Sequence, residues 1–180
     1  MKTLLLNVFI GAILCSASRA QEAAPAHREP SLSATLENAV YEEKDVSISL
    51  DFVLKNQTAK PIHIAERWNS WGAHQWTIHA TTADHQQIEF RNPQCNWKKN
   101  FLSATTIEPG KELRLRCRLV RNQPNVVRDG IQIFTPKGEP DAYTFPMRLA
   151  GTFSASLHSD GQVTTNWKGT IKTTAVELTK

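Results

Sequence analysis

Three of the chain's five tryptophans fall within nine residues, in Glu66-Arg67-Trp68-Asn69-Ser70-Trp71-Gly72-Ala73-His74-Gln75-Trp76. Indole faces stack on sugar rings or fill pockets on a protein partner, and a guanidinium adds a cation–π contact. Arg67, Trp68, Trp71 and His74 therefore form the candidate binding set. The same indoles can instead fold back as a hydrophobic lid over an open end of the fold, and the sequence leaves both readings open. Trp76 is assigned to the core, because it alternates in phase with Ile78 and Ala80.

Histidine is the next chemistry-bearing type. His63 and His79 point outward on strands and His74 lies between them, so three imidazoles converging there would hold copper or zinc. Their spacing fits no zinc motif and no carboxylate partner stands beside them, so no metal or other cofactor is expected. Arg114, Arg116 and Arg118 share one outward strand face, with Lys111 and Arg121 flanking. Such a stripe suits an anionic glycan, a lipid headgroup or an acidic protein, or else it is the charged solvent side of a strand. Enzyme signatures are absent: no Gly-x-Ser-x-Gly, no His-Glu-x-x-His and no phosphate-cradling glycine loop. The triad types in His158-Ser159-Asp160 are sequence neighbours and cannot take triad geometry among themselves. A non-enzymatic role is expected. Asn56-Gln57-Thr58 is a glycosylation sequon.

Period-two alternation supplies the elements that must position these residues. Val46, Ile48, Leu50, Phe52 and Leu54 face one way and Ser47, Ser49 and Asp51 the other, which is a half-buried strand. Pro61 opens a return carrying Ile62 and Ile64. Trp76 to Ala80 and Ile88 to Phe90 flank a turn at Ala83 to Gln86. Glu108-Pro109-Gly110-Lys111 has the residues of a type II turn, and Leu113, Leu115, Cys117 and Leu119 alternate after it. Further strands are predicted at Ile131 to Phe134, Tyr143 to Leu149, Phe153 to Leu157, Val163 to Trp167 and Ile171 to Leu178, with a turn at Ser159 to Gln162. Eight to ten short strands without a sustained helical period predict an all-β, antiparallel β-sandwich, with a barrel as the alternative.

The beginning of the chain predicts an address. Lys2, an apolar run from Leu4 to Leu14 and Ser18-Arg19-Ala20 have the layout of a secretory signal peptide over residues 1–20, too short to span a bilayer. Residues 21–30 (QEAAPAHREP) read as a flexible lead-in and 31–180 as one domain. A secreted or periplasmic protein follows. Loss of the leader takes Lys2 and Arg19 and no acid, so the net charge falls from +4 to +2, which gives nucleic acid no support as a partner. No later segment reaches membrane-spanning length. Cys15 leaves with the leader, and the remaining pair, Cys95 and Cys117, is expected to form one disulfide in an oxidising space.

The order of signals resembles the immunoglobulin-like domains of uncharacterised exported bacterial proteins. The resemblance rests on the strand ending Leu54-Lys55-Asn56, the Pro61-Ile62-x-Ile64 return and the loop at Trp71-Gly72. It continues with the Pro109-Gly110 turn and Trp167-Lys168-Gly169 running into a Thr-rich last strand. Small bacterial immunoglobulin-like proteinase inhibitors are similar more loosely. The resemblance implies an immunoglobulin-like fold and no activity. Taken with the tryptophans, the expectation is an interaction module of the envelope or extracellular space, with a carbohydrate-binding module or an inhibitor-type protein as alternatives.

Overall fold

The computed structural model describes residues 31–92, 101–121, 132–137 and 143–180. The signal peptide, the lead-in and Cys95 lie outside them. The chain is nearly all β, as the alternation predicts. In order, the elements are β1 (Leu32–Glu42), β2 (Ser47–Asn56), β3 (Ile62–Ala65), a single helical turn α1 (Ser70–Ala73), β4 (Trp76–Thr81) and β5 (Gln87–Arg91). There follow β6 (Ala104–Ile107), β7 (Glu112–Val120), β8 (Gln132–Pro136), β9 (Met147–Ala155), β10 (Gly169–Lys172) and β11 (Val176–Leu178).

The architecture departs from the expected sandwich. Among the described residues, nine strands belong to one sheet in the order β1-β2-β7-β8-β5-β4-β9-β10, with β11 also on β9, while β3 and β6 form a separate pair. The reason is β8. Cys117 to Leu119 of β7 pair with 132–134 in parallel, and Phe90 and Arg91 of β5 pair antiparallel with Pro136 and Thr135. One strand thus turns the corner between two would-be layers and joins them. At the far side β1 packs against β9, β10 and β11 without pairing with them, so the sheet curls into a nearly closed barrel. Trp167 helps close that seam: its Nε1 donates to Ser31 Oγ at 2.7 Å, and its ring lies over Gly169, where a Cβ would sit 3.1 Å from the indole.

Alternation explains the wall. In β2 and β7, Ile48, Leu50, Phe52, Leu54, Leu115, Cys117 and Leu119 are buried together with Trp76, Ile78, Phe90, Phe134, Leu149 and Phe153. Phe52 meets Trp76 edge-on at 4.9 Å between ring centroids, and Trp76 meets Phe153 at 4.6 Å. Three local predictions shift. The two strands expected at Tyr143 to Leu149 and Phe153 to Leu157 are the single β9. Val163 to Trp167 forms only an isolated bridge, Ser159 to Thr164. The last strand is split into β10 and β11, because Thr173 turns its hydroxyl to accept from Gly151 N at 2.8 Å.

The Pro109-Gly110 turn forms as expected, with Lys111 N donating to Glu108 O at 2.9 Å and Gly110 at φ +70°. Asn56 of the sequon has its amide engaged within the fold. Its side chain is fully buried, donates to Lys60 O and Ile107 O, and accepts from Thr58 N and Thr58 Oγ1. Among the described residues no disulfide is found, and Cys95, the expected partner, lies outside them. Cys117 carries a free thiol sealed in the core. Burial pushes its pKa up to about 12, only partly opposed by Arg67. A thiolate is the nucleophile, so this thiol is inert while the fold is intact. In a Cys95→Ser chain, iodoacetamide at pH 8 is expected to leave Cys117 unmodified in buffer and to alkylate it fully in denaturant. Mass spectrometry reads the difference.

Candidate functional site

The tryptophan segment leaves β3, makes α1 and enters β4, and a short polar network fixes its shape. Glu66 N donates to Ser103 O at 2.9 Å, and Ser103 Oγ donates to Glu66 Oε2 at 2.6 Å. The same Glu66 oxygen accepts from Trp68 Nε1. Asn69 is fully buried and caps α1: its Oδ1 accepts from Gly72 N at 2.9 Å, while its Nδ2 reaches Ser103 O and Oγ. An Asn at the N-cap satisfies a helix donor that would otherwise be unpaired. Gly72 is required, because a Cβ there would overlap the Glu66 carbonyl and stand 2.7 Å from Ala65 O.

Of the four predicted binding residues, Trp68 and His74 are exposed and Arg67 and Trp71 are half-buried. Trp68 is displayed, 44% exposed, and meets Phe101 edge-on with centroids 4.8 Å apart and planes at 66°. Phe101 is 60% exposed. Trp71 is half-buried and lies against His158 at 6.3 Å. His74 is exposed beyond α1. Arg67 turns inward: burial lowers its pKa, and Cys117 is near enough to offset part of that shift. Trp76 is core, as its phase requires. The two loop indoles thus differ in exposure, Trp68 being displayed and Trp71 partly covered. Phe101, Glu66 and Ser103 complete the site and were not singled out by sequence. Phe101 and Ser103 are more than thirty residues away, and only the β3–β6 pairing brings them to Trp68.

Histidines do not gather. His63, on β3, has Nδ1 2.9 Å from Thr106 Oγ1, whereas His79 pairs with Glu89 and Ala150 in the large sheet. Among the described residues no three His, Cys, Asp or Glu side chains are placed to share an ion. No helix among them is long and apolar enough to cross a membrane.

The arginine stripe is tied down by its own fold. Arg114 reaches Glu37 at 2.8 Å and Asp51 at 3.2 Å, Arg116 reaches Asp51 at 3.9 Å, and Arg118 reaches Glu42 at 3.0 Å and Asp45 at 2.5 Å. Asn38 Nδ2 adds a bond to Asp51 at 2.9 Å. Asp51 and Val53 are buried although they face away from the barrel interior, and Asp51 is bonded there by Asn38, Arg114 and Arg116. Asp51→Ala leaves several donors facing a buried gap. It is expected to destabilise the fold by roughly 1–3 kcal/mol, read from a denaturant midpoint at unchanged slope. Glu37 contributes in a defined pH window. Hydrogen bonds from Arg114 and Thr35 hold its pKa below the ordinary 4.5, so its contribution is complete above that value and is lost as pH falls through the lower, folded one.

Compared with known proteins, the chain matches no family model, no curated protein and no solved structure.

Proposed function

We propose that this is a non-enzymatic binding module of the cell envelope or extracellular space, docking a protein partner on the Trp68–Phe101 end. The carrying observation is a displayed aromatic pair whose backbone and indole are fixed by Glu66, Ser103 and Asn69. Rigid, half-exposed aromatics are the usual anchors of protein interfaces, because little side-chain freedom is lost on binding. The exported location is supported by the leader-like layout of residues 1–20.

A carbohydrate platform is the second reading, since indoles stack on sugars. Crossing planes make a corner, and a sugar ring stacks better on a flat face. The geometry therefore favours a side chain of a protein partner.

The test compares the parent chain with Trp68→Ala, both immobilised and exposed to envelope extract, culture fluid and a polysaccharide panel. Retention of a protein by the parent, weakened at least about tenfold in the still-folded variant, is the expected result, because one buried aromatic anchor commonly contributes about 2 kcal/mol or more. A retained polysaccharide lost in the variant moves the assignment to the second reading. Equal retention by both forms removes the aromatic pair from function.

A further inference from the structure

The small β3–β6 sheet has two long edges, and the fold treats them differently. In an antiparallel pair, residues alternate between bonding each other and pointing their N–H and C=O away. Glu66 N donates to Ser103 O, so with the observed register Ile64 bonds Thr105, and Ile62 bonds Ile107. His63 and Ala65 on β3, and Thr106 and Ala104 on β6, therefore point outward. On β3 the outward groups are used or covered. His63 N donates to Asn166 Oδ1 at 2.7 Å, its carbonyl accepts from Asn166 N at 3.1 Å, and Gly72 of α1 packs close against Ala65 O.

On β6 the outward N–H and C=O of Ala104 and Thr106 meet no partner among the described residues, and Thr106 is exposed. Natural edge strands are usually blocked by a charge, a proline or a bulge. Ala104-Thr105-Thr106-Ile107 has none of these, and its β-branched residues suit an extended partner. Phe101 lies three residues upstream on the same strand path, about 10 Å from Ala104 at about 3.3 Å per residue. Among the described residues, an unpaired backbone edge thus leads to the displayed aromatic pair.

We propose that β6 is a strand-addition site. An extended segment of a protein partner pairs antiparallel with Ala104–Ile107 and sets an aromatic or aliphatic side chain against Trp68 and Phe101. Backbone bonds supply affinity in this mode, and the aromatic corner selects the side chain. The proposal rests on the protein-partner reading above and specifies its chemistry.

A phage-displayed random dodecapeptide library panned on the full chain provides the probe. The strongest clone, made as a synthetic peptide, is titrated onto isotope-labelled protein. Expected are slowed exchange at the Ala104 and Thr106 amides, with Thr105, already bonded to Ile64, unchanged. Trp68→Ala and Thr106→Pro should each weaken binding about tenfold or more. Proline at 106 removes an outward donor and leaves the ladder to β3 intact, and circular dichroism checks the fold. If that variant does not fold, exchange in the parent decides alone. Peptides that need Trp68 yet leave Ala104 and Thr106 unprotected overturn strand addition and spare the aromatic site. Absence of any clone, or binding indifferent to both variants, overturns both. Concentration-dependent self-association that protects the same two amides assigns the edge to a second copy and also overturns the proposal.

Discussion

Gly72→Ala is expected to destabilise the protein by at least about 3 kcal/mol, although a glycine-to-alanine change inside a helix ordinarily stabilises by about 1 kcal/mol. The sign reverses because of what the missing side chain would meet. The new methyl would overlap the Glu66 carbonyl and approach Ala65 O, and these are backbone atoms that cannot swing aside. Glu66 is itself held by Ser103 on both its main chain and its carboxylate. Relief therefore demands moving α1, which breaks the Asn69 cap and frees Trp68. Chemical denaturation measures the stability. Local displacement would show as loss of the protected Gly72 amide before global unfolding. A variant as stable as the parent would mean that α1 can be repositioned cheaply.

The second large effect is expected at Gly151. Gly151 of β9 lies opposite Ile78 of β4, and Phe52 crosses the barrel from β2 to place its ring against that glycine. A Cβ at 151 would overlap Cε2 of Phe52 and come within 2.9 Å of Cζ. Unlike the Gly72 case, the obstacle is a side chain, but Trp76 stands edge-on to the ring and blocks an easy rotation. Gly151→Ala should cost about 2–3 kcal/mol. Phe52→Leu removes the colliding edge and should by itself cost roughly 1–2 kcal/mol. In the double variant the two costs should fall short of their sum by about 1 kcal/mol or more, the mark of residues that share one space. Additive costs would show that the glycine is needed for some reason other than Phe52.

What was legible in the sequence follows from which interactions are local. β2 and β7 read directly, since their alternation is long and every second residue is apolar. β1 was not read as a strand, because a bulge between Glu37 and Val40, with Asn38 at φ +53°, interrupts its phase and leaves Val40 exposed. The one-turn helix α1 is too short to show a period. Asn69 before Ser70-Trp71-Gly72 was its only local sign. The choice between sandwich and barrel stayed open for a different reason: it depends on β8 pairing with both β7 and β5, a choice between distant partners that no window of sequence expresses. The candidate site divided in the same way. The tryptophans marked the region, yet which indole is displayed is decided by Glu66, Ser103 and Phe101, and the partial burial of Arg67 near Cys117 has no local signal.

The unpaired seam between β1 and β9–β11 has a consequence for solubility. Open sheet edges invite other molecules to add strands and so start aggregation, and a fully closed barrel removes them only at the cost of matched strand number, tilt and stagger. Here the two ends of the long sheet face each other, and each shields the other without a shared ladder. The molecule gains much of a barrel's protection while the last strand remains free to break at Thr173, a defect that a hydrogen-bonded ring would tolerate poorly.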